Sequence, residues 1–97
     1  MNPVIAFANE LAKYFVSSAN KSEAASHIVF ELRTYKNAHF KSLSDEEKIL
    51  VLNLIEEFVS GKSRFILKKG EMVARRKEDY DEFLRTKKFI LKKIHLA

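Results

Sequence analysis

The sequence predicts a small all-α, or mainly helical, domain of four helices, arranged as a four-helix bundle or as an irregular helical domain. Helix-breaking residues are scarce, with two Gly and one Pro in 97 residues, whereas eight Phe supply bulky core side chains. Apolar residues recur at spacings of three and four, which is the period of an amphipathic helix. Because a chain of this length builds one hydrophobic core, residues 1–97 are predicted to form a single domain.

The first two predicted helices start at capping residues. Asn2 and Pro3 suit a helix start, because Asn caps free backbone N–H groups and Pro at the first helical position loses no hydrogen bond. This helix is predicted to end near Ala19. The second begins at a cap formed by Asn20 or Ser22 and fades near Asn37. Their apolar stripes are Val4, Ile5, Ala8, Leu11, Ala12, Phe15 and Ala19 in the first helix, and Ala24, Ala25, Ile28, Leu32 and Tyr35 in the second.

The third predicted helix begins at Ser44, since Ser44-Asp45-Glu46-Glu47 is a capping box with acidic residues at the positive end of the helix dipole. Gly61 is placed to end it. Apolar residues cover more than half of its circumference, so we expect it to be the most buried and central helix, with Leu54 as a core position. The apolar residues are Leu50, Val51, Leu52, Leu54, Ile55, Phe58 and Val59.

Residues 63–75 fit either a short extra helical turn or a β-hairpin with its turn at 68–71, and we favour the helical alternative. The last helix is predicted from Met72 or Lys77 to His95. Its apolar stripe is Tyr80, Phe83, Leu84, Ile90, Leu91 and Ile94. Phe30 of the second helix, and Phe89 and Leu96 of the last, lie off the stripes.

The net charge of +5 is concentrated in the last third of the chain. Residues 1–61 contain six basic and eight acidic residues, whereas residues 62–97 contain twelve basic and five acidic ones. Clustered cations can contact nucleic-acid phosphates or an acidic partner. The candidate contacts are Arg64, Lys68, Lys69, Arg75, Arg76, Arg85, Lys88 and Lys92. The alternative is a solvated helix face, because Glu78, Asp79, Asp81 and Glu82 interrupt the basic strip and Asp81 lies one helical turn from Arg85.

A winged-helix arrangement would match the order of elements if residues 64–75 formed a hairpin. Such a fold reads DNA with polar or basic groups on its third helix, whereas the third helix here is acidic and apolar. We therefore do not favour that fold.

The three apolar residues that lie off the stripes, Phe30, Phe89 and Leu96, have two explanations. Several exposed apolar side chains on one surface mark a protein interface, which includes pairing with a second copy in a symmetric dimer. Alternatively, packing of the fourth helix buries them within one chain.

The sequence lacks signatures of catalysis and of metal binding. Without Cys there is no disulfide, Cys-based zinc site or thiol nucleophile. No nucleophile elbow or phosphate-binding glycine loop is present. Glu23, His27 and Glu31 are spaced so that they share a helix face, but a solvated His–Glu contact explains them better than a metal. We predict no enzyme, cofactor or small-molecule substrate.

The expected function is therefore that of a non-enzymatic helical interaction or regulatory module, which contacts another protein or a second copy of itself. Nucleic-acid binding through residues 62–95 is the alternative. No signal peptide or membrane span is recognisable, so we expect a cytoplasmic protein without a membrane partner.

Overall fold

The computed structural model describes residues 3–60 and 77–95, and within these residues the chain forms four α-helices and no strand. The helices are α1 (Pro3–Ser17), α2 (Lys21–Thr34), α3 (Asp45–Ser60) and α4 (Lys77–His95). The predicted all-helical fold is confirmed. The choice between a hairpin and a helical turn at 63–75, and a start of the last helix at Met72, lie outside the described residues.

Local hydrogen bonds set the helix starts. The Ser44 N–H donates to Glu47 Oε1 (2.9 Å) and the Glu47 N–H donates to Ser44 Oγ (3.1 Å), so the predicted capping box is formed. Asn20 rather than Ser22 caps α2, because its side-chain oxygen accepts the Glu23 N–H at 3.1 Å.

Two helices end earlier than the apolar stripes predict. Helix α1 ends at Ser17 instead of Ala19, and α2 ends at Thr34 instead of continuing to Asn37. The Asn37 side-chain oxygen accepts the N–H groups of His39 and Lys41, which forms a turn in place of further helix.

The helices form a ring in which each has two main neighbours. Helices α1 and α4 both pack against α2 and α3, so α1 lies diagonally across from α4. Helix α3 occupies one of four positions in the ring and packs more extensively against its neighbours than any other helix, which agrees with the expectation of a central position. Ile49 and Leu50 of α3 are exposed, because the apolar residues of this helix cover a wider arc than its two neighbouring helices can bury.

The core lies between the four helices and is centred on phenylalanine. Phe15 of α1 and Phe83 of α4 meet edge-on across the diagonal, with ring centroids 5.2 Å apart, and Phe58 of α3 is equally buried. Leu54 is only partly buried, whereas its neighbour Ile55 is fully buried. The fully buried core residue at this point of α3 is therefore Ile55, one position after the predicted Leu54.

Contacts at the helix ends fix their directions. Phe7 near the start of α1 packs on Tyr35 at the end of α2, with ring centroids 4.7 Å apart, so these two helices are antiparallel. Lys21 at the start of α2 lies 3.6 Å from Asp79 in the first turn of α4. Helices α2 and α4 therefore start at the same end of the bundle and run side by side in the same direction.

Candidate interaction surface on α2 and α4

The predicted site residues divide into two groups. Arg64, Lys68, Lys69, Arg75, Arg76 and Leu96 lie outside the described residues. The others are exposed: Phe30 on α2, and Arg85, Lys88, Phe89 and Lys92 on α4. Helices α2 and α4 are neighbours in the ring, and Arg85 and Phe89 line a groove between them. We call the surface formed by the exposed residues of these two helices the α2–α4 face.

A groove of about 300 Å³ runs between the two helices on this face. The α2 side of the groove is made by small residues, which leave space beside the longer side chains of α4. Its lining is Ser22 and Ala25 of α2 with Glu82, Arg85, Thr86 and Phe89 of α4. A second depression, of about 430 Å³, lies on α2 beside Phe30 and Arg33.

Two large apolar side chains remain exposed on the α2–α4 face. Phe89 of α4 is 43 % exposed and Phe30 of α2 is 61 % exposed. Of the two explanations for these residues, burial by the fourth helix does not hold for Phe30 and Phe89, because the bundle leaves both exposed. A single exposed Phe is ordinary, but here Phe89 lines the groove and Phe30 lines a depression on the neighbouring helix, and exposed apolar side chains beside such openings are of the kind that partners cover.

The second half of α4 is strongly basic. The segment from Arg85 to Lys93, with both ends included, contains five basic residues and no acidic one. Lys87 is neutralised by α3, since its ammonium donates to Glu56 (2.9 Å) and Asn53 (2.8 Å). Arg85 pairs with Glu82, and not with Asp81 as its spacing suggested.

The remaining cations on this half of α4 are Lys88, Lys92 and Lys93. Within residues 3–60 and 77–95 they make no ion pair, and the Lys93 ammonium lies 5.5 Å from the centroid of the Phe89 ring. The part of the basic strip that the structure describes is therefore a short cluster of solvated lysines at the edge of the α2–α4 face.

The candidate metal ligands on α2 are arranged as a solvated contact. His27 stacks on Tyr14 of α1 with ring centroids 4.0 Å apart, and His27 Nε2 lies 3.7 Å from Glu31 Oε1. Among the described residues no group of three His, Cys, Asp or Glu side chains is placed to hold a metal ion. The preferred explanation, a His–Glu contact, agrees with this geometry.

A partly buried lysine that sequence reasoning missed ties the starts of α2 and α4 together. The Lys21 ammonium donates to the carbonyl oxygens of Phe15 (2.7 Å), Val16 (3.2 Å) and Ser18 (2.8 Å), at the end of α1. It also faces Asp79, which is only 4 % exposed. This arrangement fits the dipoles, because it sets a cation at a helix C-terminus and a carboxylate at a helix N-terminus.

This contact corrects one expectation about the basic strip. Asp79 was counted among the acidic residues that interrupt the strip on the surface, but it is buried beside Lys21. No spacing rule could have paired them, since 58 positions separate them in the chain.

Comparisons with protein-family models, with curated proteins and with solved structures found no match for this chain. Within the described ranges, no helix has both the length and the hydropathy required to cross a bilayer.

Proposed function

We propose that this chain is a non-enzymatic helical interaction module whose α2–α4 face binds an acidic amphipathic helix of another protein. The observation that carries the proposal is the groove between two parallel helices with Phe89 exposed at its edge. Amphipathic helices bind in such grooves by inserting apolar side chains at positions one helical turn apart. Phe30 extends the apolar surface along α2.

The charge of the face favours an acidic partner over self-pairing at the same surface. Arg33, Lys92 and Lys93 are all exposed. Arg33 borders the same depression as Phe30, and the Lys93 ammonium lies 5.5 Å from the Phe89 ring. In a two-fold dimer each copy presents the same patch, so these cations would meet their own counterparts. A helix with carboxylates beside its apolar stripe would instead place opposite charges against them.

The test is fluorescence anisotropy with a labelled synthetic helix that carries Leu on one face and Glu on the other. A peptide of the same composition with a scrambled order is the control ligand. We expect the amphipathic peptide to bind more tightly than the scrambled one, and Phe89→Ala to raise its Kd about tenfold or more.

Leu50→Ala is the matched control variant, because Leu50 is 48 % exposed but lies on α3, away from the groove. Equal binding of the two peptides, or equal losses in Phe89→Ala and Leu50→Ala, would contradict the proposal.

A second candidate function, phosphate-backbone binding to nucleic acid, is favoured by one observation: Lys88, Lys92 and Lys93 make no ion pair within the described residues. Three phosphate contacts predict a slope of about −3 for log K against log salt on duplex DNA. Anisotropy with a random duplex at two salt concentrations measures this slope. Lys88→Glu combined with Lys92→Glu should abolish binding, and absence of binding at low salt would remove this candidate.

A further inference from the structure

The connection between α2 and α3 contains a closed turn built around Asn37. The Asn37 side-chain oxygen accepts the N–H groups of His39 (2.8 Å) and Lys41 (3.0 Å). Backbone hydrogen bonds join Asn37 N–H to Lys41 O (3.0 Å) and Phe40 N–H to Asn37 O (2.9 Å). The turn therefore has a defined shape, and Phe40 lies at its tip.

Phe40 has a strained backbone and an uncovered side chain. Its φ is +58°, in the left-handed region that a bulky residue with a Cβ atom rarely adopts. Its side chain is 84 % exposed, the largest exposure among the large apolar residues described. Backbone strain of this kind concentrates at functional positions.

A small cavity adjoins the same turn. It has a volume of about 150 Å³, and Asn37 and Lys41 of the turn form part of its wall. Its apolar lining is Pro3, Val4, Tyr35 and Leu43. The rest of the lining is polar and includes Ser42. A cavity of roughly this size is large enough for a benzene molecule, which has the size of a Phe ring.

Charges around the turn are complementary to one another. The turn carries Lys36, His39 and Lys41 without an acidic residue, whereas the first turn of α3 carries Asp45, Glu46 and Glu47. Glu47 lines the cavity. A two-fold axis at this end of the bundle would set the basic turn of each copy against the acidic turn of the other.

We infer that two copies of this chain pair at this end, with Phe40 of each copy inserted into the other copy's cavity. The contact is isologous, so each copy inserts its own Phe40 ring and receives the Phe40 ring of the other copy in its cavity. The inference does not depend on the function proposed above, because it uses different residues from the groove on the α2–α4 face. The small contact area predicts a weak dimer.

The test is sedimentation equilibrium of the full chain from about 10 μM to about 1 mM, a range suited to a weak interface. The mass should rise with concentration from the monomer's 11.3 kDa towards twice that value. Phe40→Ala should raise the dissociation constant at least about 30-fold, as expected for an anchor residue. Phe40→Gly, which suits the backbone, should do the same. Phe30→Ala is the matched control and should leave the dimer unchanged, since Phe30 is also a highly exposed Phe.

Charge exchange tests the orientation of the two copies. The variant with Lys36→Glu and Lys41→Glu should be monomeric, and so should the variant with Asp45→Lys and Glu46→Lys, while an equimolar mixture should dimerise. Circular dichroism verifies that each variant is folded.

A wild-type chain that stays monomeric at about 1 mM would overturn the inference. So would a dimer that Phe40→Ala leaves intact, a dimer lost in Phe30→Ala, or a mixture that remains monomeric.

Discussion

Replacing Lys21 by Met should destabilise the bundle strongly. The substitution keeps the length of the side chain but removes the cation that caps three carbonyls of α1 and faces Asp79. At an effective dielectric constant of about 20, the attraction across 3.6 Å is about 5 kcal/mol before desolvation is counted. Removing one partner of a buried pair costs about 3–5 kcal/mol. Because the Lys21 side chain is 19 % exposed, we expect about 3 kcal/mol, at the lower end.

Urea unfolding monitored by circular dichroism measures this loss. Lys88→Met is the matched control, because Lys88 is an exposed lysine and its loss should change the free energy of unfolding by less than about 0.5 kcal/mol. Adding Asp79→Asn to Lys21→Met should restore about 1–2 kcal/mol, since the buried carboxylate that the Lys21 ammonium faces is then replaced by a neutral amide. If Lys21→Met costs no more than Lys88→Met, or if Asp79→Asn gives no recovery in that background, the electrostatic explanation is refuted.

Five further substitutions test three local features by the same unfolding assay. Ser44→Ala should cost about 1 kcal/mol, because the Glu47 N–H loses its acceptor, and no change would mean that the capping box contributes nothing. Ile55→Ala should cost about 2–5 kcal/mol and Leu54→Ala clearly less, and the reverse order would show that the face of α3 is assigned wrongly. Phe40→Gly should be about 1 kcal/mol more stable than Phe40→Ala, since Gly adopts a positive φ without strain, and equal stability would argue against the left-handed backbone.

The sequence predicts those features of the fold that depend on neighbouring residues. Ser44 and Glu47 lie three positions apart, so the capping box is recognisable from the chain alone, and it forms as expected. The face of α3 was harder to predict, because its apolar residues cover too wide an arc for periodicity to separate Leu54 from Ile55. The left-handed backbone of Phe40 has no sequence signal, since such positions usually carry Gly or Asn.

The candidate surface was predictable only in part. Phe30 and Phe89 are recognisable as residues off the apolar stripes, and both are exposed. That these two residues lie on neighbouring helices depends on how the four helices pack in the ring. The spacing of apolar residues within one helix does not predict that packing. The contact between Lys21 and Asp79 that aligns the starts of α2 and α4 joins distant parts of the chain, and it was missed for that reason.

The most direct test of the α2–α4 face as the interaction site is a ¹⁵N chemical-shift map of the full chain during titration with the acidic amphipathic peptide. The largest changes should fall on amides that border the groove, including Ser22, Ala25, Thr86 and Phe89. Changes confined to α3, around Ile49 and Leu50, or no saturable change at all, would contradict the assignment of this face.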